Sequence, residues 1–308
     1  MTTTSKISIE NQLFGVEIEM TGITRENTVK AIAEHFGTVS EICHVGGSSY
    51  DIWTAEDNKG RTWKCMNDSS IEAVDEEGNR IFSGHSKYSC ELVTPILRYE
   101  DIESLKTIMN KLSKAGAIAN SSTGIHVHVG AENHTAKTIA TLLNFAASRE
   151  DILYEALEVS SDRETEYCRK TNKRLAEFSL HAENMSEIEN IWYSGFNDGY
   201  NGGVSREHYN STRYHGINLH SLFTDKGVEF RYFNGTTDAD KIEAYIQLCL
   251  GINAYCINNP GAVYGFSEGN YSPEEKARHM KRFLRKRLGM DATNYKTLNR
   301  VMTAVWAH

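Results

Sequence analysis

Three short alternating runs carry paired polar side chains: Glu17 with Glu19, His126 with His128, and Glu229 with Arg231. Members of each pair are two residues apart, and strand side chains repeat every second residue, so within a strand both members face one way. Like-charged carboxylates at such positions repel unless water or a cation lies between them, so Glu17 and Glu19 mark either a solvated edge or a metal clamp. The two imidazoles are either satisfied structural groups or contacts for a metal or a phosphate. Glu229 and Arg231 form an ion pair on a solvated sheet, or a carboxylate for a divalent cation beside a guanidinium for a phosphate. Glu91 adds an acid at the head of an apolar run, which is otherwise an exposed strand end. If these faces coincide, four carboxylates, one or two imidazoles and an arginine meet on one surface. Such a set suits ATP held with divalent cations: carboxylates neutralise the metals, metals bridge the phosphates, and Arg231 takes developing negative charge.

The elements that must position these groups follow from periodicity and caps. Leu13 to Met20 alternates as a strand with Phe14, Val16, Ile18 and Met20 on its apolar side. Thr24 caps a helix reaching Phe36. Strand-like runs Tyr50 to Thr54 and Arg61 to Met66 flank a hairpin turn, and the polar loop Asn67 to Ile71 leaves the second run's end. Ser89 to Leu97 reads as a strand closed by Pro95, Tyr99 to Ala117 as an amphipathic helix stopped by Gly116, and Gly124 to Gly130 as the histidine strand. Thr135 to Val159 is helical. A polar stretch follows, with helical pieces near Arg163 to Phe178 and Met185 to Trp192. The aromatic loop 195–203 is a candidate lid or mere decoration. Arg213 to His220 reads as a strand that pairs with the Glu229 strand across Asp225-Lys226-Gly227, which would set Arg213, Asn218 and Glu229 near one another. Asp238 to Asn258 is a buried helix. Ser272 and Pro273 open a basic amphipathic helix, either a solvated face or a dock for an acidic partner or phosphate. A short helix, Asn294 to Trp306, ends the chain.

Bulk properties narrow the classes. The chain has 308 residues, 40% of them hydrophobic, and only three prolines, with no flexible Ser/Gly/Pro tract. This predicts one domain over 1–308, with a core at 12–260 and a helical extension at 261–308. A formal net charge of -8 disfavours general attraction to nucleic acid. Neither a membrane span nor a secretory leader is legible, so a cytoplasmic location is expected. Six scattered cysteines, without a C-x-x-C pair, read as free and mostly buried thiols. Phosphate-loop, dinucleotide-binding, serine-elbow and H-E-x-x-H signatures are absent from the sequence.

Four blocks, taken in order, resemble the motifs of the amidoligase family. They are Phe14-Gly15-Val16-Glu17-Ile18-Glu19, Glu91-Leu92-Val93-Thr94-Pro95-Ile96-Leu97, Gly124-Ile125-His126-Val127-His128-Val129-Gly130 and Val228-Glu229-Phe230-Arg231-Tyr232-Phe233-Asn234-Gly235-Thr236. The family groups with carboxylate-amine ligases of the glutamine synthetase and glutamate-cysteine ligase fold. The resemblance implies an α+β fold: a curved, mainly antiparallel sheet of about six strands, helices on its outer face and the site on its concave face. It implies ATP-dependent amide or isopeptide formation through an acyl phosphate, with Mg2+ or Mn2+, a carboxylate substrate and an amine substrate, peptide or protein included. By resemblance Glu17, Glu19, Glu91 and Glu229 are metal ligands, Arg231 the phosphate arginine, and His128, with His126, the histidine near metal and phosphate. Arg213 and Asn218 match polar positions of the site. The Asn67-Asp68-Ser69-Ser70 loop resembles a family Asp-Gly-Ser segment, with Ser69 in place of glycine. Phosphotransfer to an amine or guanidine, and a non-catalytic nucleotide- or metal-binding module, are the alternatives. A homo-oligomer is left open.

Overall fold

The computed structural model describes residues 6–46, 48–82, 86–194, 203–265 and 271–307. The loop expected as a lid at 195–203 lies, apart from Gly203, outside these described residues. In chain order the strands and helices are β1 (Leu13–Met20), α1 (Arg25–Phe36), β2 (Cys43–His44), β3 (Trp53–Glu56), β4 (Thr62–Met66), β5 (Cys90–Val93), β6 (Leu97–Arg98), α2 (Ile102–Lys114), β7 (Gly124–Val129), α3 (Ala136–Ala156), α4 (Ser161–Glu166), α5 (Lys173–Ser179), α6 (Met185–Trp192), β8 (Ile217–Asn218), α7 (His220–Phe223), β9 (Val228–Asn234), α8 (Ala239–Asn258), α9 (Pro273–Lys286) and α10 (Lys296–Val301). The fold is mixed α/β, built on antiparallel strands. It has nine strands among the described residues, against the expected six or so. The extra ones include β2 and β6, two residues each and too brief for alternation to reveal them, whereas β8 is what remains of the strand expected from Arg213 to His220.

Two compact units divide the chain. The first holds Leu13–Val127 with Phe233–Glu243, and the second holds the residues up to Gln12, His128–Tyr232 and Ala244 onward. The chain crosses between units inside β7, after Val127, and again inside β9, after Tyr232.

In the first unit the strand order is β2-β3-β4-β5-β1-β7, with β6 also pairing β1. Phe14, Val16, Ile18 and Met20 are all buried on one side of β1, as the alternation requires. Helix α1 begins where the Thr24 hydroxyl accepts from the Asn27 amide, and it packs on β3, β4 and α2. Its inward residues Val29, Ile32 and Ala33, with Leu105, Ile108, Met109 and Leu112 of α2, complete an apolar layer. Each large aliphatic side chain so buried contributes about 1.5–3 kcal/mol. Ser89 to Leu97 is two strands rather than one, because Pro95 lacks an amide hydrogen and breaks the ladder. The Thr94 hydroxyl fills the gap by accepting from the Val16 amide at 2.9 Å.

The second unit has the order β7-β9-β8. Val228 to Phe233 is buried at every position, so β9 is covered on both faces. The expected strand from Arg213 to His220 is shorter than periodicity suggested. The Asn210 side chain accepts from the Thr212 amide and turns Ser211–Arg213 into a 3-10 helix. The Asn218 side chain accepts from the Ser221 amide as the chain enters α7, so only Ile217 and Asn218 remain extended. Behind β9 lies Glu150 of α3, fully buried, whose carboxylate accepts from the Tyr232 hydroxyl at 3.0 Å and the Thr171 hydroxyl at 2.9 Å. Burial pushes its carboxyl up to about 7 against the pull of those donors. The cysteines are free: Cys43 is exposed and the other five are buried. No helix among the described residues is long and apolar enough to cross a membrane.

These contacts set the response of stability to substitution and to pH. Gly227 has φ 78°, and a Cβ there would press on the Val129 carbonyl, whereas Gly60 has φ 72° with open space around it. Gly60→Ala should cost about 1–2 kcal/mol from the left-handed backbone alone, and Gly227→Ala about 1–3 kcal/mol more from overpacking. Urea unfolding midpoints measure the difference; equal midpoints refute the close approach. For Glu150 the variable is pH. Its folded carboxyl lies above the ordinary 4.5, so its contribution to stability is full below 4.5 and is lost as pH rises toward about 7. Glu150→Gln, which does not titrate, should lose less stability between pH 5 and 7 than the native chain. Parallel pH profiles for the two proteins would contradict the buried ionisation.

Candidate functional site

In the first unit the register of β1 against β5 sets Glu19 directly opposite Glu91 and Glu17 opposite Val93. Directly opposed residues of an antiparallel pair point to the same face, so Glu17, Glu19 and Glu91 share one surface. The buried side of β1 fixes that surface, since a slip by one residue would bury the carboxylates and expose Ile18. His126 of β7 joins them. Its Nδ1 lies 3.1 Å from Glu17 Oε2 and its Nε2 3.8 Å from Glu19 Oε1, so one buried imidazole stands between two carboxylates. Because a carboxylate can only accept, Nδ1 carries a proton in this bond. Glu19 is itself buried and its Oε2 accepts from the Gly124 amide at 2.6 Å. The Asn67–Ser70 loop leaves β4 as expected. Asp68 Oδ1 accepts from the Ser70 amide and the Asp68 carbonyl accepts from the Ser89 hydroxyl, which ties the loop to the start of β5.

Sequence reasoning passed over Lys64. It lies opposite Val93, which in turn lies opposite Glu17, so its ammonium belongs to the same face as the three carboxylates. The signal was present in the alternation of Thr62 to Met66, but the register that gives it meaning was not.

In the second unit Asn218 lies opposite Glu229 in the β8–β9 register, and its Nδ2 donates to Glu229 Oε2 at 2.6 Å. Arg231 Nη1 donates to Glu229 Oε1 at 2.5 Å, with both side chains 5% exposed. The guanidinium also donates from Nε to the Tyr167 carbonyl at 3.2 Å and lies over the Tyr214 ring. The expected pair thus exists, but it is buried rather than solvated, and its members bond each other. Removing one partner of such a pair leaves an uncompensated buried charge, at about 3–5 kcal/mol.

His128 stands in the same unit. Its Nδ1 lies 3.2 Å from the Lys226 carbonyl, which can only accept, and 3.2 Å from the Ser221 hydroxyl. The proton on Nδ1 leaves Nε2 as the basic nitrogen, 4.0 Å from Glu229 Oε1. Ser221 was not expected, since it sits in α7 just beyond the strand read from Arg213 to His220. Arg163 was also missed: it is buried, and its Nη2 donates to the Arg231 carbonyl at 3.4 Å. Arg213 is not joined to Glu229 as the longer strand would have required. Its Nη1 donates to the His208 carbonyl and its guanidinium lies over the Tyr209 and Tyr214 rings, because the 3-10 turn carries it away from the ladder.

The first unit therefore brings together Glu17, Glu19, Glu91 and His126, and the second His128, Asn218, Glu229 and Arg231. Oxygen-rich sets of this kind suit hard divalent cations, and a buried guanidinium suits a phosphate. A search of curated proteins finds no match. A family described as "Putative amidoligase enzyme" matches residues 10–253, a span that contains every one of these side chains and most of the chain. The chain belongs to this amidoligase family.

Proposed function

We propose that this protein is an ATP-dependent carboxylate-amine ligase with the fold of the glutamine synthetase catalytic domain, acting as a single catalytic domain. The observation that carries the reading is the opposition of Glu19 and Glu91 with Glu17 on the same face. Three carboxylates facing one way repel, and a divalent cation would join the His126 imidazole in offsetting that repulsion. The oxygen donors suit Mg2+ or Mn2+, and the ligands we assign are Glu17, Glu19 and Glu91 in the first unit and Glu229 in the second. When bound, the ion neutralises phosphate charge and acts as a Lewis acid.

A substrate carboxylate oxygen attacks the γ-phosphorus of ATP, the bond from that phosphorus to the β-bridging oxygen breaks, and ADP leaves with its electron pair. The nitrogen of an amine then attacks the acyl carbon of the acyl phosphate, the carbon–oxygen bond to phosphate breaks, and the amine proton passes to a base. Arg231 balances charge on the transferring phosphoryl group. His128, with its proton on Nδ1 and Nε2 basic, contacts the phosphate or takes a proton. His126 holds Glu17 in place, and Asn218 holds Glu229. Arg213 keeps its assignment as a site residue only if it leaves the His208 carbonyl. The acid and amine come from small metabolites or from peptides and proteins.

Hydroxylamine traps acyl phosphates whatever the natural nucleophile is. With ATP, Mg2+ and a pool of carboxylic acids, the protein should form a hydroxamate and release ADP, and chelation should stop both. Arg231→Ala and Glu19→Gln should each lower the rate by about 100-fold or more, judged only on variants whose thermal unfolding shows a folded chain. A stable phosphorylated amine in place of a hydroxamate would assign phosphotransfer. Nucleotide binding without turnover would reduce the protein to a binding module.

Metal binding is tested separately from turnover. Free Mn2+, followed by its paramagnetic resonance signal, should fall on adding native protein, and Glu91→Gln should weaken that binding by about tenfold or more. Unchanged affinity in this variant would remove Glu91 from the ligand set.

A further inference from the structure

Helix α9 carries charge that the proposed ligase chemistry does not use. From Lys276 to Met290 the sequence contains no acidic residue and seven lysines and arginines, in a chain whose formal net charge is -8. The structure sorts them. Lys276 is bound to Glu155 at 2.8 Å, and Arg287 donates to the Tyr255 hydroxyl at 3.3 Å. Arg278, Lys281, Arg282, Arg285 and Lys286 are exposed, and none of them makes a salt bridge among the described residues.

These five stand at i, i+3, i+4, i+7 and i+8, the spacing of a single helical face. Met280 and Leu284, on the opposite side, are buried and anchor the helix to its unit. The capping box of Ser272 and Glu275 fixes its start. The stripe is therefore held rigidly and spans about 12 Å at 1.5 Å per residue. Like charges one turn apart, as in Arg278 with Arg282, Lys281 with Arg285 and Arg282 with Lys286, destabilise a helix by about 0.2–0.5 kcal/mol each. A mixed face would carry no such cost, and an anionic partner would reverse its sign.

We propose that this face docks an acidic polypeptide segment, one presenting four or more Glu or Asp side chains along about 12 Å. Charge complementarity selects the partner's sign, and three observations select its class. The remainder of the chain is strongly acidic and repels an extended phosphate backbone beyond the stripe. Among the described residues the one ring on this face, His279, is already engaged edge-on by Tyr271, so no run of free aromatic faces lies along the stripe for bases to stack on. The helix's apolar residues Met280 and Leu284 face inward, so it has no apolar side to insert into a bilayer.

The test uses the full-length protein and a fluorescein-labelled 15-residue Glu-rich peptide, with its Glu→Gln counterpart as control, followed by anisotropy. The native protein should bind the Glu peptide, bind the Gln peptide at least about tenfold more weakly, and lose affinity steeply between 50 and 300 mM salt. The double variant Lys281→Glu/Arg285→Glu should lose at least about tenfold in affinity while keeping the native circular dichroism spectrum and melting temperature. Equal binding by native and variant proteins, or equal binding of the two peptides, overturns the proposal. So does tighter binding to a single-stranded 15-nucleotide DNA or to phosphatidylserine vesicles than to the Glu peptide. None of these readouts depends on ligase turnover.

Discussion

A carboxylate taken out of water has to be answered by donors or by a cation, and this requirement governs the arrangement of both units. Glu19, Glu150 and Glu229 are all buried. Glu150 is answered by hydroxyls and an amide, and burial still prevails enough to raise its carboxyl. Glu229 is answered by a guanidinium and an amide side chain. Glu19 accepts from the Gly124 amide, lies beside the His126 imidazole of β7 and faces the Glu91 carboxylate across the β1–β5 ladder. The three environments differ in kind, and they imply different jobs. For Glu150 desolvation outweighs the pull of its donors and leaves a structural carboxyl that is readily neutral, whereas Glu19, set beside a second carboxylate and an imidazole, lies in a group whose oxygens suit a cation.

The strands that carry these groups are held from behind. Phe14, Val16, Ile18 and Met20 lock β1 against the apolar layer formed with α1 and α2, so the carboxylate face cannot slip without exposing four large side chains. In the second unit β9 is buried along its length, and Tyr232 joins it to Glu150 of α3 on the face opposite Glu229 and Arg231. The Gly227 turn brings the chain into β9 close under Val129, and Lys226 at that turn supplies the carbonyl that fixes the His128 tautomer. Rigid backing of this sort is what a charged site needs, because small displacements of a carboxylate change cation binding strongly.

Much of this was legible in the sequence because it depends on a period of two. The pairs Glu17 with Glu19 and Glu229 with Arg231 share faces as alternation demands, and the caps at Thr24 and Ser272 sit where the residue types suggested. What alternation cannot give is register. Only the ladder shows that Glu91 faces Glu19 rather than Glu17, and that Lys64 shares their surface. Local side-chain hydrogen bonds were also invisible. Asn210 and Asn218 each capture a backbone amide and end extended structure early, which shortened the strand expected from Arg213 and removed Arg213 from Glu229. Two-residue strands such as β6 leave no periodic trace at all, and Pro95 hid one by ending its neighbour.

The Glu229–Arg231 contact joins two readings that looked exclusive in the sequence. An ion pair and a metal-plus-phosphate site need the same residues, and the pair as it stands keeps both charges compensated in a buried setting. Under the proposed chemistry, a cation on Glu229 and a phosphate on Arg231 would replace one compensation with another, so neither side chain would have to be buried alone at any stage. Asn218 holds Glu229 through its second oxygen and the Tyr167 carbonyl holds Arg231 through Nε, so each keeps one fixed contact while the other is exchanged. A salt bridge here is therefore no argument against function. It is a form in which oppositely charged groups stay compensated and buried, and the proposed chemistry would exchange those partners rather than create them.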